Sequence, residues 1–160
     1  MRVNSIGVLI EGAPGSGKSA LALELVSRGH RLIADDAVEI RRKDAHLIGI
    51  CPPLLSGFIE VRGLGVLDIR RLFHTTRILQ RARIELVVIL RRPPTLLRTE
   101  RAKVRRSGVS LPALYTPPAL GHNPAVLIET ACRDLWLRRA GFDATPFLAR
   151  RKLKRILRHR

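Results

Sequence analysis

Residues 12–19, Gly12-Ala13-Pro14-Gly15-Ser16-Gly17-Lys18-Ser19, fit the spacing G-x-x-x-x-G-K-[ST] throughout. Glycines at these positions let backbone N–H groups curl around phosphate oxygens. A lysine there reaches the β- and γ-phosphates of a nucleotide, and the following hydroxyl ligates Mg²⁺. Further on stand two adjacent carboxylates, Asp35 and Asp36. Beside a phosphate cradle they have a chemical use: one can hold Mg²⁺ through water while the other takes a proton from an attacking hydroxyl. Taken alone they fit equally well an Asx-turn with both side chains solvated. The chemistry these residues point to is phosphoryl transfer from ATP with Mg²⁺.

The flanking sequence predicts how they are positioned. Residues 6–10 form a short apolar strand before the glycines. Leu21, Ala22, Leu25 and Val26 recur at helical spacing after Lys18, and Gly29 stops the helix. The run RLIAD, residues 31–35, predicts a second strand reached by a right-handed crossover, parallel to the first. Strand ends in a parallel sheet share one edge, which would bring Asp35 and Asp36 to the phosphate loop.

Residues 37–42 and 46–51 read as a hairpin around Lys43-Asp44. Residues 84–90 read as a buried strand closed by Pro93-Pro94, and 111–115 as another strand. The stretch 95–107 is basic and helix-permissive. Asn123 followed by Pro124 caps a helix running to Arg139, and Thr145-Pro146 starts a last helix reaching about Leu157. Phe147, Leu148, Leu153, Ile156 and Leu157 form an apolar stripe on that basic helix. His30, His46, His74 and His159 show no partner pattern and read as surface residues. Trp136, Cys51 and Cys132 read as packing residues.

The chain of 160 residues is 46% hydrophobic, which suits one folded domain rather than a disordered one. No apolar run approaches the ~20 residues of a transmembrane helix, and no signal-peptide pattern opens the sequence. Two distant cysteines make neither a zinc pattern nor a disulfide framework, so a reduced, cytoplasmic protein is expected. The net charge of +17 is uneven: residues 1–80 hold 11 Lys/Arg against 8 Asp/Glu, and residues 81–160 hold 19 against 5. That field suits an anionic partner. Aromatic content of 4% and the lack of a recognisable nucleic-acid motif argue against base-stacking surfaces.

The loop, GHRLIADDAVEI (residues 29–40) and FIEVRGLGVLDIRRLF (residues 58–73) together resemble the catalytic domain of the HPr kinase/phosphorylase family. The resemblance runs from about Gly7 to Leu72 and resumes over residues 121–145. It implies an α/β P-loop nucleotide-binding fold with a mixed sheet flanked by helices, of the HPr-kinase/PEP-carboxykinase kind. The expected organisation is a single P-loop kinase domain over 1–160, with a core of about 6–141 and a basic helix at about 146–157. The implied activity is ATP- and Mg²⁺-dependent phosphorylation of a serine of the phosphocarrier protein HPr, together with phosphate-dependent removal of that phosphate.

The implied roles fall on named residues. Gly12, Ala13, Pro14, Gly15, Ser16, Gly17, Lys18 and Ser19 form the ATP loop. Asp36 is the catalytic acid/base and Asp35 its acidic partner. Ser19 and Glu60 are the Mg²⁺ ligands, Arg62 lies in a segment needed for both reactions, and Arg106 acts on the transferring phosphoryl group. The partners implied are HPr or another acidic, serine-bearing protein, with assembly into a homo-oligomer that is a hexamer in the family.

The sequence also departs from that family. Typical members carry a further N-terminal domain and a histidine before the loop strand; here six residues precede Gly7. Ala20 stands where glutamate is usual. The loop tied to dephosphorylation, arginine- and proline-rich in typical members, reads Ala119-Leu120-Gly121-His122. Two other readings stay open on the residues themselves: a small-molecule P-loop kinase or ATPase, and a nucleotide-binding regulatory module with a basic nucleic-acid surface.

Overall fold

In a computed structural model, residues 1–92, 101–117 and 123–158 are described, with side chains described as far as Leu153. The chain opens with β1 (Arg2–Val3) turning back into β2 (Ile6–Glu11), which leads through the glycine loop into α1 (Lys18–Ser27). A hairpin follows, β3 (Glu39–Lys43) and β4 (His46–Ile50), with Asp44 at φ 54° in its turn. A second hairpin, β5 (Phe58–Val61) and β6 (Gly65–Asp68), runs into the single turn of α2 (Ile69–Leu72). Then come β7 (Arg81–Ile84), β8 (Leu86–Ile89), β9 (Lys103–Arg106) and β10 (Val109–Tyr115). Two helices, α3 (Pro124–Arg139) and α4 (Ala144–Arg158), complete the described chain.

The main sheet has the order β1-β2-β8-β10-β9. Its centre is parallel, β2 to β8 to β10, and its two edges are antiparallel. Strands buried on both faces carry unbroken apolar runs, and β2 and β8 do. Side chains alternate faces along a strand. Val8, Leu86 and Val88 therefore pack with Leu25 and Val26 of α1 and Ile128 and Cys132 of α3. Leu9, Val87 and Ile89 turn the other way, onto Leu47 and Ile84 of a second sheet ordered β3-β4-β7. The result is a helix layer, a mixed central sheet and a small antiparallel sheet. At Gly7 a Cβ would stand 1.7 Å from the Arg83 carbonyl oxygen, so only glycine lets β7 cross so close to β2.

Several expectations hold. The strand before the glycine loop, the 39–50 hairpin, the strand at 109–115 and both C-terminal helices are present. Asn123 caps α3 by accepting from the Ala125 N–H at 2.8 Å, worth about 1 kcal/mol. The last helix starts earlier than Thr145-Pro146: Asp143 accepts from the Thr145 N–H at 3.0 Å and caps α4. The Arg101 guanidinium grips the same carboxylate at 2.5 and 2.8 Å and holds it well below the usual carboxylate range.

Others are corrected. Residues 31–35 do not form a parallel strand beside β2. Arg31 bridges antiparallel to Arg2 and Leu32 bridges parallel to Ile78, so the run lies beyond β1. The place beside β2 is taken by β8. The apolar run 84–90 is divided at Glu85: β7 joins β4, β8 joins the central sheet, and the Glu85 N–H donates to the Gly7 carbonyl at 2.8 Å. Residues 103–106, inside the stretch read as helix-permissive, form a strand. Pro93-Pro94, residues 95–100, the loop Ala119–His122, the side chains of Ile156 and Leu157, and His159 lie outside the described residues. Trp136 is 56% exposed, not packed, and Phe147, Leu148 and Leu153 of α4 are also exposed. Cys51 and Cys132 are buried, as expected of packing residues, and both are free thiols. Among the described residues no helix is long and apolar enough to cross a membrane.

His30 is the clearest misreading. It is buried, its Nδ1 accepts from the Asn4 N–H at 3.3 Å, and its Nε2 lies 2.8 Å from Glu129. Glu129 also takes both arms of Arg28, at 2.9 and 2.6 Å, which ties the end of α1 to α3. The Arg28 guanidinium, with His30 behind it, lowers the Glu129 carboxyl from 4.5 to about 2. A carboxylate whose folded value is depressed stabilises the fold above its unfolded value and loses that contribution as pH falls toward the folded one. Glu129→Gln should therefore lower the urea midpoint at pH 7, and the gap to the native chain should close as pH falls from about 4.5 toward 2. A gap that persists unchanged at pH 2 would contradict this assignment.

Candidate functional site

The loop after β2 leaves the strand at Gly12 and enters α1 at Lys18, with Gly15 and Gly17 at φ 77° and 91°. These left-handed values are ones a residue with a Cβ rarely adopts. The N-terminus of α1 thus opens toward the loop, where its unpaired N–H groups favour an anion. The Lys18 ammonium folds back over the loop, donating to the Gly12 and Ala13 carbonyls at 3.2 and 3.4 Å. It also stands 3.7 Å from Asp36.

Asp35 and Asp36 lie in a bend after the bridge residues, not at a strand end, and they are differently employed. Asp35 is half-buried. One oxygen accepts from the Ser19 hydroxyl at 2.9 Å and the other from the Glu60 N–H at 3.0 Å. It therefore locks the first turn of α1 to β5. Among the described residues Asp36 carries no such bond; its side chain is 76% exposed and pairs with Lys18. Adjacent residues here point different ways, so a structural carboxylate and a solvent-facing one stand side by side.

The β5–β6 hairpin contributes Glu60 and Arg62, both exposed. Glu60 pairs across the hairpin with Val66, not with a cation. Arg62 reaches the loop: its Nη2 would lie 3.8 Å from a Cβ at Gly15. At Gly17 a Cβ would meet nothing within 4 Å. The space above the loop is open, bordered by two cations and by the N–H groups of the helix start. That cradle fits the phosphates of a nucleotide. Among the described residues no cluster of three His, Cys, Asp or Glu side chains could hold a metal alone. Ser19 with Asp35 and Glu60 nearby suits instead a Mg²⁺ that arrives with phosphate oxygens.

Arg106 is held by a carboxylate. Its two arms engage Glu11 at 2.8 and 2.6 Å, joining the end of β9 to the last residue of β2. Glu11 was not singled out in the sequence, since its partner is distant in the chain. Glu11, Gly12, Lys18, Asp35 and Asp36 help line a cavity of about 250 Å³. Val8, Ala22, Ile33 and Val38 give it an apolar wall, and Ala82, Arg83 and Ile84 of β7 also line it.

Comparison with known proteins agrees with this geometry. The family described as HPr serine kinase C-terminal domain matches residues 1–152. An HPr kinase/phosphorylase of Azoarcus sp. (strain BH72) is 43% identical over 98% of this chain and 52% of its own. One from Xylella fastidiosa (strain M12) is 46% identical over 94% of this chain and 51% of its own. The chain thus spans about half the length of the relatives it matches. A solved structure, the Hpr(Ser) kinase/phosphatase from Coxiella burnetii, superposes with a TM-score of 0.77 at 30% identity, covering 92% of this chain and 93% of that one.

Proposed function

The chain belongs to the HPr serine kinase C-terminal domain family, and on that premise we propose that it transfers the γ-phosphoryl group of ATP to a serine hydroxyl of HPr, with Mg²⁺. The observation that carries this reading is the division of labour between the two aspartates around Ser19 and Lys18. Phosphoryl transfer needs charge neutralisation, positioning and a proton acceptor, and little covalent work from the protein.

In this reading the residues Gly12 to Ser19 hold the β- and γ-phosphates, with Lys18 leaving the loop carbonyls for phosphate oxygens. Ser19 and Glu60 would hold Mg²⁺, with Asp35 orienting the Ser19 hydroxyl. Bound there, Mg²⁺ would neutralise charge on the transferring phosphate. Asp36, solvent-facing and unbonded, takes the proton of the serine hydroxyl as its oxygen attacks the γ-phosphorus and ADP departs. Arg62 adds positive charge beside the loop. Arg106 reaches the reacting group only by leaving Glu11, so we place it as a positioning residue for the end of β2 and not as a catalytic one.

The names of the relatives also carry a phosphorylase activity. In that direction Asp36 would return a proton to the serine oxygen. The residues tied to it by resemblance, Ala119 to His122, lie outside the described residues. Cytoplasmic placement and assembly into a homo-oligomer belong to the same proposal.

The test is transfer of label from γ-labelled ATP, with Mg²⁺, to HPr and to HPr whose serine is replaced by alanine. Label on the first alone is the expected result. Equal label on both, or on neither, overturns the reading.

A further inference from the structure

We infer that the outward face of the β3-β4-β7 sheet docks the acidic surface of the protein acceptor, an inference that rests on the kinase reading above. The register fixes which side chains share that face. Arg41 stands opposite Ile48, which stands opposite Arg83; Glu39 and Arg81 flank Ile50 in the next row; Lys43 faces His46. Residues two apart along a strand point the same way. One face therefore gathers Arg41, Lys43, Arg81 and Arg83 around a floor of Ile48 and Ile50. The opposite face carries Leu47, Gly49 and Ile84 into the core.

Most of the charge on this face is uncompensated. Glu39 is its one acid, and it bonds Arg41 at 3.0 Å. Lys43, Arg81 and Arg83 have no acidic partner among the described residues. Every residue of β3 is exposed, as are His46, Arg81 and Arg83. Strands about 4.8 Å apart put the Arg41 and Arg83 columns about 10 Å from each other, with the half-buried isoleucines between them. A basic rim around an aliphatic floor matches a protein surface with an apolar centre and acidic edge. A nucleic acid gains little here, because the face offers its bases no Phe, Tyr or Trp to stack on.

Position links the face to the reaction. Arg83 belongs both to this face and to the lining of the cavity that Lys18, Asp35 and Asp36 also line. Asp36 lies three residues before β3, at most about 11 Å of extended chain. A protein seated on the sheet can thus bring a loop to the solvent-facing carboxylate.

The test uses Lys43→Glu/Arg81→Glu, which leaves the cavity lining untouched, and measures KM and kcat for HPr beside the affinity for ATP. The expected result is a KM for HPr raised about tenfold or more, with kcat and ATP affinity within about twofold. The native KM should also rise with salt, and that of the variant should respond less. The milder Lys43→Gln/Arg81→Gln should move KM the same way by less. An unchanged KM with active native protein overturns the inference while leaving the kinase reading intact. An unchanged KM with loss of single-stranded oligonucleotide binding assigns the face to nucleic acid and overturns it too. No transfer by the native protein overturns the kinase reading, and the docking assignment with it.

Discussion

Replacing Asp36 by asparagine should lower phosphoryl transfer by about 10²–10⁴-fold, the range expected for removing a general base. The structure makes this a clean substitution. Among the described residues Asp36 accepts no hydrogen bond; its side chain is 76% exposed and its ion-pair partner is Lys18 at 3.7 Å. Asparagine keeps the shape and removes the basicity. Stability should stay within about 0.5 kcal/mol of the native chain, as for most surface substitutions. Losing so exposed an ion pair changes nucleotide affinity little. Single-turnover transfer read beside equilibrium ATP binding separates the two effects. Transfer within threefold of native would place the base elsewhere.

Asp35→Asn should act differently, cutting transfer by about 10²-fold through the groups that Asp35 holds rather than through a proton. The Asp35 carboxylate accepts at both oxygens, from Ser19 and from the Glu60 N–H. Asparagine can accept at one only; its amide N–H₂ would then face either a hydroxyl able to reorient or a backbone N–H that cannot. The amide oxygen therefore keeps the Glu60 N–H, and the N–H₂ turns to the Ser19 hydroxyl, which must accept where it had donated. A Ser19 oxygen engaged in that way is less available to a metal ion. The readout that marks this positioning role is a higher Mg²⁺ concentration for half-maximal rate, with amide exchange at Glu60 close to native. The Mg²⁺ dependence should not change in Asp36→Asn. Normal Mg²⁺ dependence in Asp35→Asn would contradict the role given to Asp35.

How far these features were legible varied with sequence distance. The glycine loop and its strand and helix were readable because every requirement is local: glycines where φ is positive, then Leu21, Leu25 and Val26 at helical spacing. The cap of α3 was readable for the same reason, whereas α4 starts before Thr145-Pro146, at a cap supplied by Asp143. The placement of Asp35 and Asp36 near the loop was anticipated, but through a strand pairing that does not exist. An apolar run such as residues 31–35 states that it is buried, not beside which strand. The run 84–90 failed similarly, since nothing local says that Glu85 hands the chain from one sheet to another. His30 and Glu11 were missed because the partners that define them, Glu129 and Arg106, lie far along the chain. Unequal use of two identical neighbours, Asp35 bonded and Asp36 not, is likewise a matter of tertiary placement.

The central claim is that this site moves a γ-phosphoryl group to a protein serine and not to water. The most direct measurement is the fate of that group in a single turnover with Mg²⁺, ATP and HPr, read as phosphoserine on HPr against released inorganic phosphate. The account predicts phosphoserine at one serine in the native protein, none in Lys18→Ala, and little free phosphate in either. Free phosphate as the main product, with HPr unmodified, would contradict it and make the site an ATPase.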